Sequence, residues 1–443
     1  MKRLAVMLLA GMLVLSTAFA GCSSGGGNAN SGGGNAPASS EAKQEEKKSG
    51  DPTTVYMMVP SDHLETMEML FEPFHASQDE IRVEVDATAS GWDGVATKLI
   101  TMLAGGEEVD IAAVSTSYYP QFVELNQLLD ITDHARETYS EEEYYWSVFD
   151  GLMIDDHLYG VPISIYTLVN YYNKDMYDAA GMEYPSTAWG KDAWTFEDWK
   201  NTANQLTQGE GLDRQYGVWI EYQLERTACF LFSEGLNYWA DDLTPQFDNA
   251  RIREVHEDLY KMVHTDKTMP NSELVNTTGM DQLFADGKVA NYITGTWSHN
   301  SIFESGANFD VSATPGGTTV GYVDVYIPMA NTKHPEATQA VLDYLISYDA
   351  CVIKYENNRL GPQVNRRATE DCKDKCFAGL SPEGVECIFD SLDNCKPLTV
   401  FPEWGEFLSD SLLPASNMMA VGESTVDEAF DKLQADAKAL LGK

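Results

Sequence analysis

The chain has 443 residues, a formal net charge of −40 and 43% hydrophobic residues, 11% of all residues being aromatic. That apolar content suits a packed globular protein, and the length calls for more than one core. A chain this acidic does not bind nucleic acid by neutralising phosphates, and anionic lipid headgroups repel it.

At the N-terminus Lys2 and Arg3 precede an uncharged apolar run over residues 4–19, followed by Phe19-Ala20-Gly21-Cys22. The run is shorter than the roughly 20 residues that a membrane helix needs, so residues 1–21 read as a signal peptide. Ala20-Gly21-Cys22 resembles the lipobox of bacterial lipoproteins, with Phe19 where that family usually has Leu. The resemblance implies that Cys22 is lipidated and becomes the new N-terminus, anchoring the protein to the cell membrane on its extracellular or periplasmic face. Residues 22–50 are rich in Gly, Ser and Asn and hold no large apolar side chain, the composition of a disordered tether. Gly21-Cys22-Ser23-Ser24-Gly25 matches the serine-hydrolase pattern G-x-S-x-G, but it lies on the cleavage site, without the strand and helix that the motif requires.

Beyond the tether, residues 54–59 read as a strand, 64–75 as a helix, 81–87 as a strand, 92–103 as a helix and 110–114 as a buried strand. This alternation implies an α/β architecture with a mostly parallel sheet. Thr195, with Asp198 three residues on, predicts a capped helix through Leu206. Apolar spacing predicts further helices over 251–264 and 425–441. Cys229 and Cys351 lie in apolar surroundings and read as buried thiols. Cys372, Cys376, Cys387 and Cys395 cluster late in the chain, where disulfides, free thiols and a zinc site all remain open.

From Tyr159 on, ordered motifs accumulate. Tyr159-Gly160-Val161-Pro162 is followed by Tyr171-Tyr172-Asn173-Lys174-Asp175, Ala180-Gly181, Pro185 and the Trp194–Trp199 patch. Phe284-Ala285-Asp286-Gly287-Lys288 with Gly295-Thr296-Trp297 comes next, then Thr314-Pro315-Gly316-Gly317, Ile327-Pro328, Trp404 and Ser424-Thr425. This series resembles the extracellular solute-binding proteins of ABC importers, in the carbohydrate-binding family that includes maltose-binding protein. The resemblance implies a two-lobed periplasmic-binding-protein-like fold, with a ligand cleft between the lobes and three crossing segments near residues 165–168, 323–327 and 358–361. The lobes would be residues 51–166 plus 327–358 and residues 167–326 plus 359–443.

A sugar site needs aromatic faces for C–H surfaces and polar groups for hydroxyls. The resemblance implies stacking by Trp297 and Trp404, a further aromatic at Tyr222, and Tyr166 where maltose-binding relatives carry a ligand-bonding carboxylate. Loops after the first three strands would present Asp62 and His63, Trp92 and Asp93, and the stretch from Ser115 to Tyr119 that includes Tyr118. Asp324 and Arg359, at the second and third crossings, would add charged contacts, with hinge roles as the competing reading. The expected function is a membrane-tethered, monomeric receptor that captures a sugar or oligosaccharide and delivers it to an ABC permease, without cofactor, metal or catalysis. Competing expectations are the same fold binding a non-sugar solute, a ligand sensor for a membrane kinase, and a secreted glycoside hydrolase with paired carboxylates.

Overall fold

The computed structural model describes residues 51–357 and 361–442. The leader, Cys22, the tether and Arg359 lie outside the described residues. Among the described residues no helix is long and apolar enough to cross a membrane.

Among the described residues nine strands form the sheet: β1 (Thr53–Pro60), β2 (Ile81–Ala89), β3 (Ile111–Ser115), β4 (Val161–Asn173), β5 (Trp219–Ile220), β6 (Asn291–Gly295), β7 (Phe309–Ser312), β8 (Thr319–Pro328) and β9 (Cys395–Pro397). The strand order is β2-β1-β3-β8-β4-β6-β5, with β7 on β4 and β9 on β8. The first three strands pair in parallel, joined by the helices Leu64–Ser77 and Gly91–Gly105, as their periodicity predicts. The sheet as a whole is mixed, which corrects the expectation of a mostly parallel one. β8 runs antiparallel to β3, and β4 runs antiparallel to β8, β6 and β7.

The reason lies in β4 and β8, which serve two cores at once. All 13 residues of β4 are buried. Its first half, Val161, Ile163 and Ile165, packs into one apolar cluster with Val55, Leu70, Val114 and Val325. Leu168 joins a second cluster built around Trp199, Phe230, Leu259 and Phe430, and Val169 and Tyr171 join a third around Phe284 and Phe309. β8 does the same in reverse, with Val320 in the second cluster and Val325 and Ile327 in the first. Beside them, Ile165 N–H donates to the Pro362 carbonyl at 3.0 Å. Three segments thus pass side by side between two apolar bodies, the first cluster on one side and the second and third on the other. Gly361 is required by the closeness of this passage, since a Cβ there would lie 2.6 Å from the Ile165 carbonyl oxygen and 2.8 Å from the Tyr166 ring.

The local signals read from the sequence appear where expected. Thr195 and Asp198 exchange hydrogen bonds in a full capping box at the start of the helix Phe196–Leu206. Thr425 and Glu428 do the same for Val426–Leu440.

Candidate ligand-binding site

A cavity of about 860 Å³ opens between the two apolar bodies. Its first wall is made by the carboxyl ends of the parallel strands. β1 delivers Asp62 and His63, β2 is followed by Gly91, Trp92 and Asp93, and β3 ends at Ser115, ahead of Ser117 and Tyr118. Parallel strands point their C-terminal loops to one edge, so side chains far apart in sequence converge there. His63 and Trp92 meet edge to face at 5.2 Å. Burial lowers the His63 pKa against the opposing pull of Asp62, which favours the neutral imidazole.

The floor is the crossing itself. Tyr166 of β4 stands opposite Tyr322 of β8, and Ser164 opposite Asp324. The two-residue period of a strand puts Tyr322 and Asp324 on one face, and both line the cavity. Asp324 is only 6% exposed, and its carboxyl has no hydrogen-bond partner among the described residues. Burial, and then the charge of Asp62, holds its pKa well above the ordinary carboxylate range. The Tyr166 phenol is likewise pushed up, by burial and then by Asp324.

The second wall is aromatic. Trp297 is 39% exposed, an unusual state for an indole inside a fold. Its ring lies back over Gly295, where a Cβ would fall 2.1 Å from the indole. The glycine of the G-x-W motif is thus a seat for the tryptophan two residues later. Tyr166 and Tyr322 meet the indole edge to face at 5.8 and 5.4 Å. The Arg226 guanidinium lies 4.6 Å from the Trp297 ring centroid and 5.4 Å from that of Tyr322. Its Nε lies 3.3 Å from Glu221 Oε2. Arg226 and its neighbour Glu225 stand in the first turn of the helix Leu224–Phe232, and both face the cavity. Burial raises the Glu225 pKa against the opposing effect of Arg226. Further along this wall, burial pushes His299 down to about 4, while its Nε2 bonds the Ala378 carbonyl at 3.1 Å.

Of the residues expected at the site, Asp62, His63, Trp92, Asp93, Ser115, Tyr118, Tyr166, Trp297 and Asp324 all line this cavity. Two do not, and the structure corrects their placement. Trp404 is 3% exposed and packs against Phe401 and Phe407, with ring centroids 5.7 and 6.2 Å away. The cavity instead receives Leu408, Ser409 and Leu413 from the π-helical segment Leu408–Leu412 and the helix after it. Tyr222 is 7% exposed, and its hydroxyl donates to the His256 carbonyl at 3.1 Å, deep in the second cluster. The six described cysteines are free thiols, Cys229 and Cys351 fully buried. No group of three or more His, Cys, Asp or Glu among the described residues is placed to share a metal ion.

Sequence reasoning missed Arg226, Glu225 and Tyr322. Tyr322 was accessible, since it is two residues from Asp324 on the same strand face. Glu225-Arg226 directly precede the apolar run of their helix, a charged pair where the helix leaves the core.

Residues 60–350 match the bacterial extracellular solute-binding proteins. A binding protein of Brucella abortus is 26% identical over 368 residues, spanning 80% of this chain and 84% of that protein. A galactooligosaccharide-binding protein of Bacillus subtilis is 22% identical over 305 residues, spanning 65% of this chain and 66% of that protein. Among solved structures, an ABC substrate-binding protein of Listeria monocytogenes in complex with cycloalternan superposes with a TM-score of 0.78 at 21% identity, covering 88% of this chain and 100% of that one.

Proposed function

Since the chain belongs to the bacterial extracellular solute-binding proteins, we propose that it is a receptor of an ABC importer that captures a sugar or oligosaccharide in its central cavity. The observation that carries this reading is the exposed Trp297 indole facing, across about 860 Å³, a rim of Asp, Ser and Tyr side chains. That volume is within the span of about 300–1,000 Å³ usual for small-molecule sites. An aromatic face with hydrogen-bonding groups opposite is what a pyranose ring requires, with apolar C–H surfaces and polar hydroxyl edges. The galactooligosaccharide-binding relative and the cycloalternan-bound neighbour point to the same ligand class.

Trp297 would stack on the sugar, while Asp62, Asp93, Ser115, Tyr118, Tyr166 and Asp324 would take its hydroxyls, with His63 and Trp92 shaping the rim. We draw the lobes as residues 51–166 with 327–358 and residues 167–326 with 359–443. The split of the apolar clusters supports this division, and the helix Tyr348–Glu356 touches both, Ala350 packing with the first cluster and Tyr355 with the third. A ligand touching both lobes favours the closed state by the difference between its affinities for closed and open forms. The closed form docks on the permease, without catalysis, and lipidated Cys22 keeps the receptor at the membrane.

A thermal-shift panel of mono- and oligosaccharides, amino acids, peptides and polyamines tests the ligand class. At least one sugar raises the melting temperature; a rise with another class and none with any sugar overturns the assignment. Release of reducing sugar from an oligosaccharide would contradict the non-catalytic role. Metabolic labelling with a fatty-acid analogue marks the wild type and leaves Cys22→Ser unlabelled if the anchor is as proposed.

A further inference from the structure

Among the described residues the Asp324 carboxyl has no hydrogen-bond partner. It is 6% exposed, and it faces the cavity. Buried ionisable groups are ordinarily paired or hydrogen-bonded, because an unsatisfied one costs several kcal/mol. The neighbour that acts on it electrostatically is a second acid, Asp62. Two acids lining one cavity, one of them buried and without a hydrogen-bond partner among the described residues, form a receptor for a group that those residues do not supply.

The rest of the lining has the same sign. Asp93 and Glu225, from opposite walls, both raise the Tyr118 pKa after burial has done so. Against these carboxyls, Arg226 is the only permanent cation among the described lining residues. It pairs with Glu221, its Nε 3.3 Å away, and its guanidinium lies against the Trp297 and Tyr322 rings. His63 and His299 also line the cavity, and burial lowers the pKa of both, favouring their neutral forms. A polyol brings hydroxyl donors but no charge, so it leaves the acids uncompensated. An ammonium group brings a positive charge and three donors at once, and the faces of Trp92 and Tyr118 near the acids are suited to a cation.

We propose that the solute is an amine-bearing sugar, with its ammonium group received by Asp324 and Asp62. This rests on the cavity being the sugar site, and it names the substrate class within that reading. An acidic sugar is the class that the cavity disfavours most.

The test uses matched pairs differing in one substituent, read by calorimetry on the full mature protein at neutral pH. Glucosamine, galactosamine and mannosamine, and short glucosamine oligomers, are each compared with the N-acetylated and hydroxyl counterparts. Spermidine serves as a non-sugar cation. The proposal expects at least one amine to bind tenfold or more tighter than both of its counterparts. Asp324→Asn abolishes that preference, lowering affinity for the amine by more than it lowers affinity for either neutral counterpart. Asparagine is isosteric and keeps a polar side chain without the acid, so the variant should fold; if its melting temperature collapses, Asp62→Asn carries the same comparison. A neutral sugar that binds as tightly as its amine partner overturns the amine inference and leaves the sugar reading intact. Binding of spermidine, with no sugar of any pair binding, overturns the sugar reading and retains the cation site. A preference for amines that survives both substitutions overturns the assignment to Asp324 and Asp62.

Discussion

Trp297 and Trp404 carry the same expectation in the sequence and have opposite fates in the fold. Trp297 is 39% exposed on the cavity wall, seated over Gly295 and flanked by Tyr166, Tyr322 and Arg226. Trp404 is 3% exposed, and its ring is spent on Phe401, Phe407 and the cluster beneath them. The difference teaches that an indole becomes a binding platform only where its surroundings hold one face open. Around Trp297 the neighbours meet the ring edge-on or through a cation, leaving area uncovered. Around Trp404 they close over it.

The largest expected effect breaks the comparison on the Trp404 side. Trp404→Ala should cost about 3–5 kcal/mol of stability, the usual range for emptying a tryptophan-sized site in a core. Denaturant unfolding measures this, and ligand affinity per folded molecule should change little. A large loss of affinity without loss of stability would return Trp404 to the site.

The same core carries a pH signature. Burial pushes His256 down to about 3, its Nε2 2.7 Å from the Tyr238 hydroxyl and its ring 4.9 Å from Phe430. In the unfolded chain it titrates near its ordinary value of 6.5. The folded pKa is therefore depressed, so the contribution is complete above 6.5, declines as pH falls and levels off below about 3. By pH 5 the loss from this one group amounts to about 2 kcal/mol, at 1.36 kcal/mol per pH unit. Unfolding curves at pH 7 and pH 5 should show that loss, and His256→Phe should remove part of the difference. The cavity histidine His299, pushed to about 4, adds a slope of the same sign.

Tyr222→Phe is gentler. It deletes the hydroxyl that donates to the His256 carbonyl and should cost about 1 kcal/mol of stability. Calorimetry should find the affinity unchanged, because the ring does not reach the cavity. The smallest expected effect is on the Trp297 side. Gly295→Ala places a Cβ where the indole now lies, so the ring must shift. Binding should weaken by less than in Trp297→Ala, with the melting temperature nearly constant.

How much was legible follows the same line. Local patterns were readable because they depend on local physics. The strand runs at 54–59, 81–87 and 110–114 and the Thr195-Asp198 cap appear as β1, β2, β3 and a capped helix. The first wall was readable too, since parallel strands force Asp62, Trp92 and Ser115 to one edge whatever the rest of the chain does. The second wall was not. Arg226 matters because Trp297, Tyr322 and Glu221 surround it, and these come from segments up to about a hundred residues apart. No spacing rule brings them together. The mixed sheet was hidden for a similar reason, because β4 and β8 are chosen by two cores rather than by a local crossover.

The most direct test of the account is calorimetry on Trp297→Ala, using whichever solute raises the melting temperature of the wild type. The account predicts an affinity loss of tenfold or more, at least about 1.4 kcal/mol, with the melting temperature within a degree or two of wild type. Unchanged affinity in a folded variant would contradict it and remove Trp297, and the cavity wall built around it, from the binding site.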